Sequence, residues 1–400
     1  MMNIKMVSLK RPQNGVEVKR FGYENAQRVQ KFHCSFPDYR QTPLARLPRT
    51  AGQLGLGELY VKDESYRFGL NAFKVLGGSF AIGSYIAKRL QTDLAALPYE
   101  KMISKEVREK LGALTFVTAT DGNHGRGVAW TANRLRQQSV VYMPKGSAAE
   151  RLQNIRALGS MAEITDLRYD DAVRLACRQA KEKGWVLVQD TDWDGYTEIP
   201  AWIMQGYTTM AWEAVQQLRG KRPTHIFLQA GVGAMSGALS GFFADFYGDG
   251  AEAPVVTIVE PEKADCIYRT AAANDGQLHF AEGDMDTIMA GLACGEPCST
   301  GWRILHDHAD YFVSMPDTAA ACGMRILGNP LPGDDRVISG ESGAAGFGFV
   351  ASVMQRPELS GLKERLGLNE ESRVLCFSTE GDTDRENYRR IVWQGAWNQE

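Results

Sequence analysis

"HIFLQAGVGAMSGALSG", residues 225–241, runs from an apolar stretch through a glycine turn into small and apolar residues at helical spacing. Ile226, Phe227 and Leu228 suit a strand covered on both faces, and a strand that passes through glycines into a helix is the half-unit of a parallel α/β sheet. The same alternation recurs outward from this stretch. Strands are expected at 59–64, 114–120, 139–144, 162–166, 186–190, 255–260 and 373–379, and helices at 73–90, 124–137, 148–158, 169–183, 200–218, 234–246 and 342–355. The expected class is α/β. At roughly 150 residues per domain, 400 residues make two or three compact units. Linkers are weakly marked; the expected division is a large domain of 1–85 with 196–400 and a small one of 86–195.

Composition removes several functions. Lys plus Arg (45) nearly balances Asp plus Glu (48), so there is no basic field to track nucleic-acid phosphates. No run of 18 apolar residues occurs, so no membrane span is expected. The opening residues carry charges and Pro12 where a secretory signal needs an apolar core, and a cytoplasmic protein is expected. Seven scattered cysteines read as reduced thiols, with a Cys266 to Cys294 bridge left open. Cys294 with Cys298, and His306 with His308, lack a second half at zinc-ligand spacing, so no metal is expected.

Ligands of open α/β sheets collect at the carboxyl ends of strands. Those ends here are "TDGNHG" (120–125), "QDTD" (189–192), "AGVGAMSG" (230–237), "SGESGA" (339–344) and "STEGD" (378–382). At 230–237 the glycines let main-chain N–H groups close on an anion at a helix N-terminus, which points to a phosphate. Two other readings stay open at this point: small residues that merely allow close packing, and a dinucleotide fold with Glu260 on a ribose. The displaced third glycine, Gly237, and the mid-chain position weigh against the dinucleotide, which also leaves Lys74 unexplained.

In "FGLNAFKVLGGS" (68–79), Lys74 stands where a helix begins. The helix dipole and desolvation both ease loss of its proton, and a neutral amine attacks aldehydes. Alone, Lys74 reads as an ordinary surface lysine. Beside a phosphate turn it reads differently, because an aldehyde that carries a phosphate describes pyridoxal 5'-phosphate.

Phe73-Lys74, Gly122-Asn123-His124, Gly231 to Met235 and Ser378-Thr379 follow one another in the order that resembles the fold-type II pyridoxal-phosphate enzymes, the group of threonine and serine dehydratases, cysteine synthase and the tryptophan synthase β chain. The resemblance runs from about residue 40 to the C-terminus. It implies two α/β domains with largely parallel sheets, an active site in the cleft between them, pyridoxal 5'-phosphate as cofactor, and a homodimer. It further implies that Lys74, preceded by Phe73, bonds the cofactor aldehyde and that Asn123 meets the ring oxygen. Gly231, Val232, Gly233, Ala234 and Met235 would donate N–H groups to the phosphate, and Ser378 or Thr379 would meet the ring nitrogen.

One turn departs from the dehydratases. Thr118-Ala119-Thr120-Asp121 carries a carboxylate where they have hydroxyls for the substrate carboxylate. Asp121 makes sense if the substrate brings a second cation, since unit charges ~4 Å apart attract by ~4 kcal/mol at an effective dielectric of ~20. Asp190 adds another carboxylate at a strand end. As a helix N-cap, Asp121 has an ordinary explanation too. With "TDGNHGRGVAW", "VQDTDWDGYTEIP", "ISGESGA" and "STEGDTD", the chain resembles the diaminopropionate ammonia-lyases, which convert D- and L-2,3-diaminopropionate to pyruvate and two ammonia. The implied substrate is a small diamino acid. Lys74 would take the α-proton on one face and Asp121 on the other, with Asp121 or Asp190 holding the departing ammonium. His124 is an alternative proton carrier, although such a histidine is more often packed. The competing reading is a serine or threonine dehydratase-type lyase acting on hydroxy amino acids.

Overall fold

The structure is a computed structural model that describes residues 2–12, 14–120, 122–248, 250 and 252–398. Its strands are β1 (Lys5–Ser8), β2 (Leu44–Arg46), β3 (Glu58–Asp63), β4 (Thr115–Ala119), β5 (Gln138–Met143), β6 (Met161–Ile164), β7 (Val186–Leu187), β8 (His225–Gln229), β9 (Val255–Pro261), β10 (Tyr311–Met315) and β11 (Arg373–Ser378). They form two sheets. One has the order β1-β10-β9-β8-β11-β3-β2, the other β6-β5-β4-β7.

In the larger sheet the five inner strands are parallel, and the two edges, β1 and β2, are antiparallel to their neighbours. All five residues of β8 are buried, which is why "HIFLQ" has no solvent-facing alternation. Burying Ile226, Phe227 and Leu228 stabilises the fold by roughly 1.5–3 kcal/mol each. The smaller sheet is wholly parallel. Its core lies between β4 and β5 and the helix Tyr169–Lys183, with Val117, Ala119, Ala172 and Ala176 fully buried.

The chain divides into two compact units. The smaller comprises Glu24–Arg40 and Arg67–Thr209; the larger comprises the residues up to Tyr23, Gln41–Tyr66 and those from Met210 on. The smaller unit thus reaches past the expected limits of 86 and 195. Its helix Val75–Arg89 is the reason, because it packs main chain to main chain against two neighbours of the same unit. A Cβ on Gly127, in the helix Asn123–Arg134, would lie 2.8 Å from the Val75 Cα, and one on Gly206, in the helix Glu198–Leu218, 2.3 Å from the Leu76 carbonyl oxygen.

The eight expected strands form, although β7 has only two residues. The pattern missed β1, β2 and β10. It also missed the helices Tyr99–Met102 and Lys105–Leu111, which occupy a segment with no apolar period. β1 and β2 are edge pieces of four and three residues, too short for a period of two to declare itself. Among the described residues no helix is long and apolar enough to cross a membrane.

Candidate active site

In the smaller unit, the approach to Lys74 is conformationally costly. Phe68 (φ 49°) and Asn71 (φ 59°) occupy the left-handed region, at roughly 1–2 kcal/mol each for residues with a Cβ. Lys74 follows as the N-cap of the helix Val75–Arg89, and its own side chain makes no capping bond. The Gly127 contact then fixes where that helix starts. Phe73 packs on Tyr207 with ring centroids 4.8 Å apart, and the Lys74 ammonium lies 5.6 Å from the Phe73 ring centre. The Lys74 side chain is 22% exposed, so it is not sealed in the core.

Lys74 Nζ donates to Asp190 Oδ2 at 2.5 Å. Burial acts to raise the Asp190 pKa, but the Lys74 charge and His124 outweigh it and hold this carboxyl well below the usual carboxylate range. Asp190 is brought to its place by the segment after β7. There the backbone N–H of Gln189 donates to the Tyr196 hydroxyl at 2.8 Å, and that hydroxyl donates to the Leu187 carbonyl at 3.0 Å. Trp193 stacks on Tyr196 with centroids 4.4 Å apart. The fully buried Gln189 ties this segment to β4: its Oε1 accepts from the Thr118 hydroxyl (3.0 Å) and the Ala119 N–H (3.2 Å).

Asn123 opens the helix Asn123–Arg134, and His124 follows with its ring buried. Burial lowers the His124 pKa, Asp190 raises it and Lys74 lowers it again, so the shift is downward. Asp121, the out-of-pattern carboxylate, lies outside the described residues.

In the larger unit, β8 ends at Gln229, and Ala230 to Gly233 turn into the helix Ala234–Tyr247. Gly233 is the N-cap with φ 88°, a conformation that glycine adopts freely, and no side chain caps this helix. Its first N–H groups, Ala234 and Met235 among them, therefore form a ready anion nest. Val232 is held by the Cys298 N–H, which donates to its carbonyl at 2.7 Å. Gly231 has Cys266 and Cys294 beside it: the Cys266 thiol is 3.6 Å from the Gly231 carbonyl, and a Cβ on Gly231 would lie 3.2 Å from Cys294 Sγ.

Ser378, the last residue of β11, is fully buried and donates to Ser339 Oγ at 2.7 Å. Thr379 is buried beside it, and its oxygen accepts from Gln229 Nε2 at 3.0 Å. The same amide lies 2.9 Å from the Phe377 carbonyl and 3.0 Å from that of Ser342, which binds the ends of β8 and β11 to the "SGESGA" turn. Glu260, the residue a dinucleotide would need for its ribose, is fully buried and accepts from the N–H groups of Ile267 (2.9 Å) and Tyr268 (2.6 Å). Its role is structural.

Lys74, Phe73, Asn123 and Asp190 thus share the smaller unit, and Gly231 to Met235 with Ser378 and Thr379 share the larger. Gln189, Gln229 and Ser339 escaped the sequence analysis. Their signal was present: Gln189 and Gln229 are amides placed at the end of otherwise apolar strands, where a buried polar side chain must find partners.

The family model "Pyridoxal-phosphate dependent enzyme" matches residues 36–377. A diaminopropionate ammonia-lyase of Escherichia coli K12 is 50% identical over 384 residues, covering 96% of this chain and 94% of that protein. A crystal structure of the Escherichia coli diaminopropionate ammonia lyase in complex with D-serine superposes with a TM-score of 0.92 at 47% identity, covering 99% of this chain and 98% of the other. The same enzyme in complex with an aminoacrylate-PLP azomethine reaction intermediate gives 0.91 at 48% identity, with the same coverage. With a family model across most of its length and half its residues shared with that relative, the chain belongs to the pyridoxal-phosphate dependent enzymes, in the diaminopropionate ammonia-lyase branch.

Proposed function

We propose that this chain eliminates ammonia from D- and L-2,3-diaminopropionate to give pyruvate and two ammonia, with pyridoxal 5'-phosphate as its cofactor. The observation that carries the proposal is the pair at the head of the helix Val75–Arg89, a partly exposed lysine held at 2.5 Å by an ionised, buried aspartate. The remaining groups fit the cofactor. An uncapped helix start with a left-handed glycine suits a phosphate, and a buried hydroxyl suits a pyridine nitrogen.

When bound, pyridoxal phosphate supplies an aldehyde that captures the substrate amine and a ring that takes up the electrons freed at Cα. The chain supplies the rest. Gly231, Val232, Gly233, Ala234 and Met235 hold the phosphate through N–H groups, and Asn123 meets the ring oxygen. Ser378 or Thr379 meets the ring nitrogen; Thr379 has its hydrogen to give, because its oxygen already accepts from Gln229. A hydroxyl leaves that nitrogen less protonated than a carboxylate would, which suits elimination.

Lys74, once its amine is neutral, takes the α-proton from one face. Asp121 takes it from the other face, a role that rests on the sequence. Asp190, ionised at neutral pH, attracts the β-ammonium and orients it to leave as ammonia. The proposal extends to a cytoplasmic homodimer. The scattered, odd-numbered cysteines support the compartment, and light scattering on the purified protein tests the assembly.

The deciding experiment measures ammonia and pyruvate release from diaminopropionate beside serine and threonine. Faster turnover of diaminopropionate is expected. Preference for serine or threonine would replace this reading by the dehydratase one.

A further inference from the structure

His124 has no task in the reaction as described, and its surroundings supply one. The ring is 3% exposed, and Nε2 lies 2.8 Å from the Val188 carbonyl oxygen, which can only accept, so Nε2 carries the hydrogen. Nδ1 then presents a lone pair that is buried and has no hydrogen-bond partner among the described residues. It lies 3.9 Å from Asp190 Oδ2, the same oxygen that accepts from Lys74. Buried polar atoms are almost always partnered, and a lone pair aimed at a carboxylate is an unfavourable contact. The arrangement becomes useful once Asp190 loses the ammonium on its other side.

Among the described residues, two charged groups act on the ring: Asp190 from beyond β7 and Lys74 from the start of the helix Val75–Arg89. Arg151, in the helix Ala149–Arg156, comes up to Gly122, where a Cβ would lie 3.2 Å from its Cδ. The Tyr169 hydroxyl, a neutral group, accepts from Gln189 Nε2 at 2.9 Å.

We infer that His124 is a positioning residue that takes over from Lys74 as the partner of Asp190. When the Lys74 nitrogen ceases to offer Asp190 an ammonium proton, Nδ1 takes up one proton from solvent and donates it to Oδ2. One proton leaves the pair with Lys74 and one enters at His124, so the buried carboxylate keeps a counter-charge. A shift of about 1 Å closes the gap to the length of a charge-assisted bond. Asp190 is then held ionised and in place while Lys74 is committed to the cofactor aldehyde. The inference rests on the assignment of Lys74 given above.

The test uses full-length protein with 13C-labelled histidine rings, stripped of cofactor. The His124 signal is identified by its loss in His124→Gln and titrated by NMR. In Lys74→Ala it is expected to titrate at least about one pH unit higher than in wild type, since the carboxylate no longer faces an ammonium. Adding Asp190→Asn to Lys74→Ala is expected to abolish that rise. No rise, or a rise that survives Asp190→Asn, overturns the inference.

A second measurement reads the loaded enzyme. His124→Gln keeps an amide N–H for Val188 and lacks a base; kcat is expected to fall about tenfold, KM to hold, and the acid limb of the kcat profile to move. A uniform loss with an unmoved pH profile marks a packing role and overturns the inference. Failure of the underlying reading looks different: wild type would neither bind pyridoxal phosphate nor release ammonia from diaminopropionate, while the NMR coupling could persist.

Discussion

The lysine turn of the smaller unit and the glycine turn of the larger both open a helix without a side-chain cap, and they are charged differently. In each unit a fully buried glutamine secures a parallel strand end near the turn's partners: Gln189 ties the end of β4 to the Asp190 segment, and Gln229 ties the ends of β8 and β11. Beyond that point they diverge. The smaller unit gathers Lys74, Asp190 and His124, titratable groups that the proposed reaction uses to move protons. The larger offers backbone N–H groups, Ser378, Thr379 and Ser339, neutral groups that hold without titrating. An anion that stays bound through a reaction cycle is best held by fixed dipoles, whereas a proton that must move needs partners of changing charge. The two turns separate holding from reacting.

Lys74→Ala tests that separation most severely. Turnover is expected to fall by at least ~10³-fold while pyridoxal phosphate still binds weakly, followed by its visible absorbance on titration. Substantial turnover by this variant would falsify the assignment. Within the charged turn, Asp121→Asn is expected to slow the D isomer at least ~10-fold more than the L isomer, read from kcat/KM for each. Equal losses would make Asp121 a binding group.

Gly233→Ala is the mirror experiment. A Cβ there meets Ile267 Cδ1 at 3.0 Å in a left-handed conformation that costs ~1–2 kcal/mol, so cofactor affinity is expected to drop about tenfold while kcat at saturating cofactor holds. A loss confined to kcat would blur the division between the turns.

The smallest effect concerns a titratable group in the "SGESGA" turn of the larger unit. Glu341 is buried, and burial together with Glu380 pushes its pKa up to about 7. The folded state therefore holds that proton more tightly than the unfolded chain. Its contribution to stability is complete below the ordinary glutamate pKa of ~4.3 and is lost as pH rises through about 7. Glu341→Gln is expected to raise Tm by roughly 2 °C at pH 8 and to leave it unchanged at pH 4, measured by calorimetry. A gain at pH 4 as large as at pH 8 would deny that ionisation of Glu341 is what costs stability.

The parallel core was readable because strands buried on both faces are continuous apolar runs, as in β8 and β9, and because strand ends gather ligands. Gly231 to Met235 and Lys74 could be found as motifs in the sequence. What was not readable depends on partners distant in the chain. Gln189 finds Thr118 across 71 positions and Gln229 finds Thr379 across 150; an amide ending an apolar strand signals the need for a partner, and the local pattern does not name it. The limits of the smaller unit were missed for the same reason, since the contact of Gly127 with Val75 is made of absent side chains. Glu260 shows why the dinucleotide reading was rightly disfavoured: an acidic residue after a glycine turn suggests a ribose, yet helix N–H groups occupy it.

Main chain meeting main chain at Gly127 has a practical side. With no side chain between the two helices to yield, the height of the amine above its floor is set by its four methylenes alone. Redesign toward longer or shorter substrates cannot be achieved by softening that seam. It has to come from the reach of the amine itself, and a non-natural lysine with one carbon more or fewer would gauge how finely the reaction depends on it.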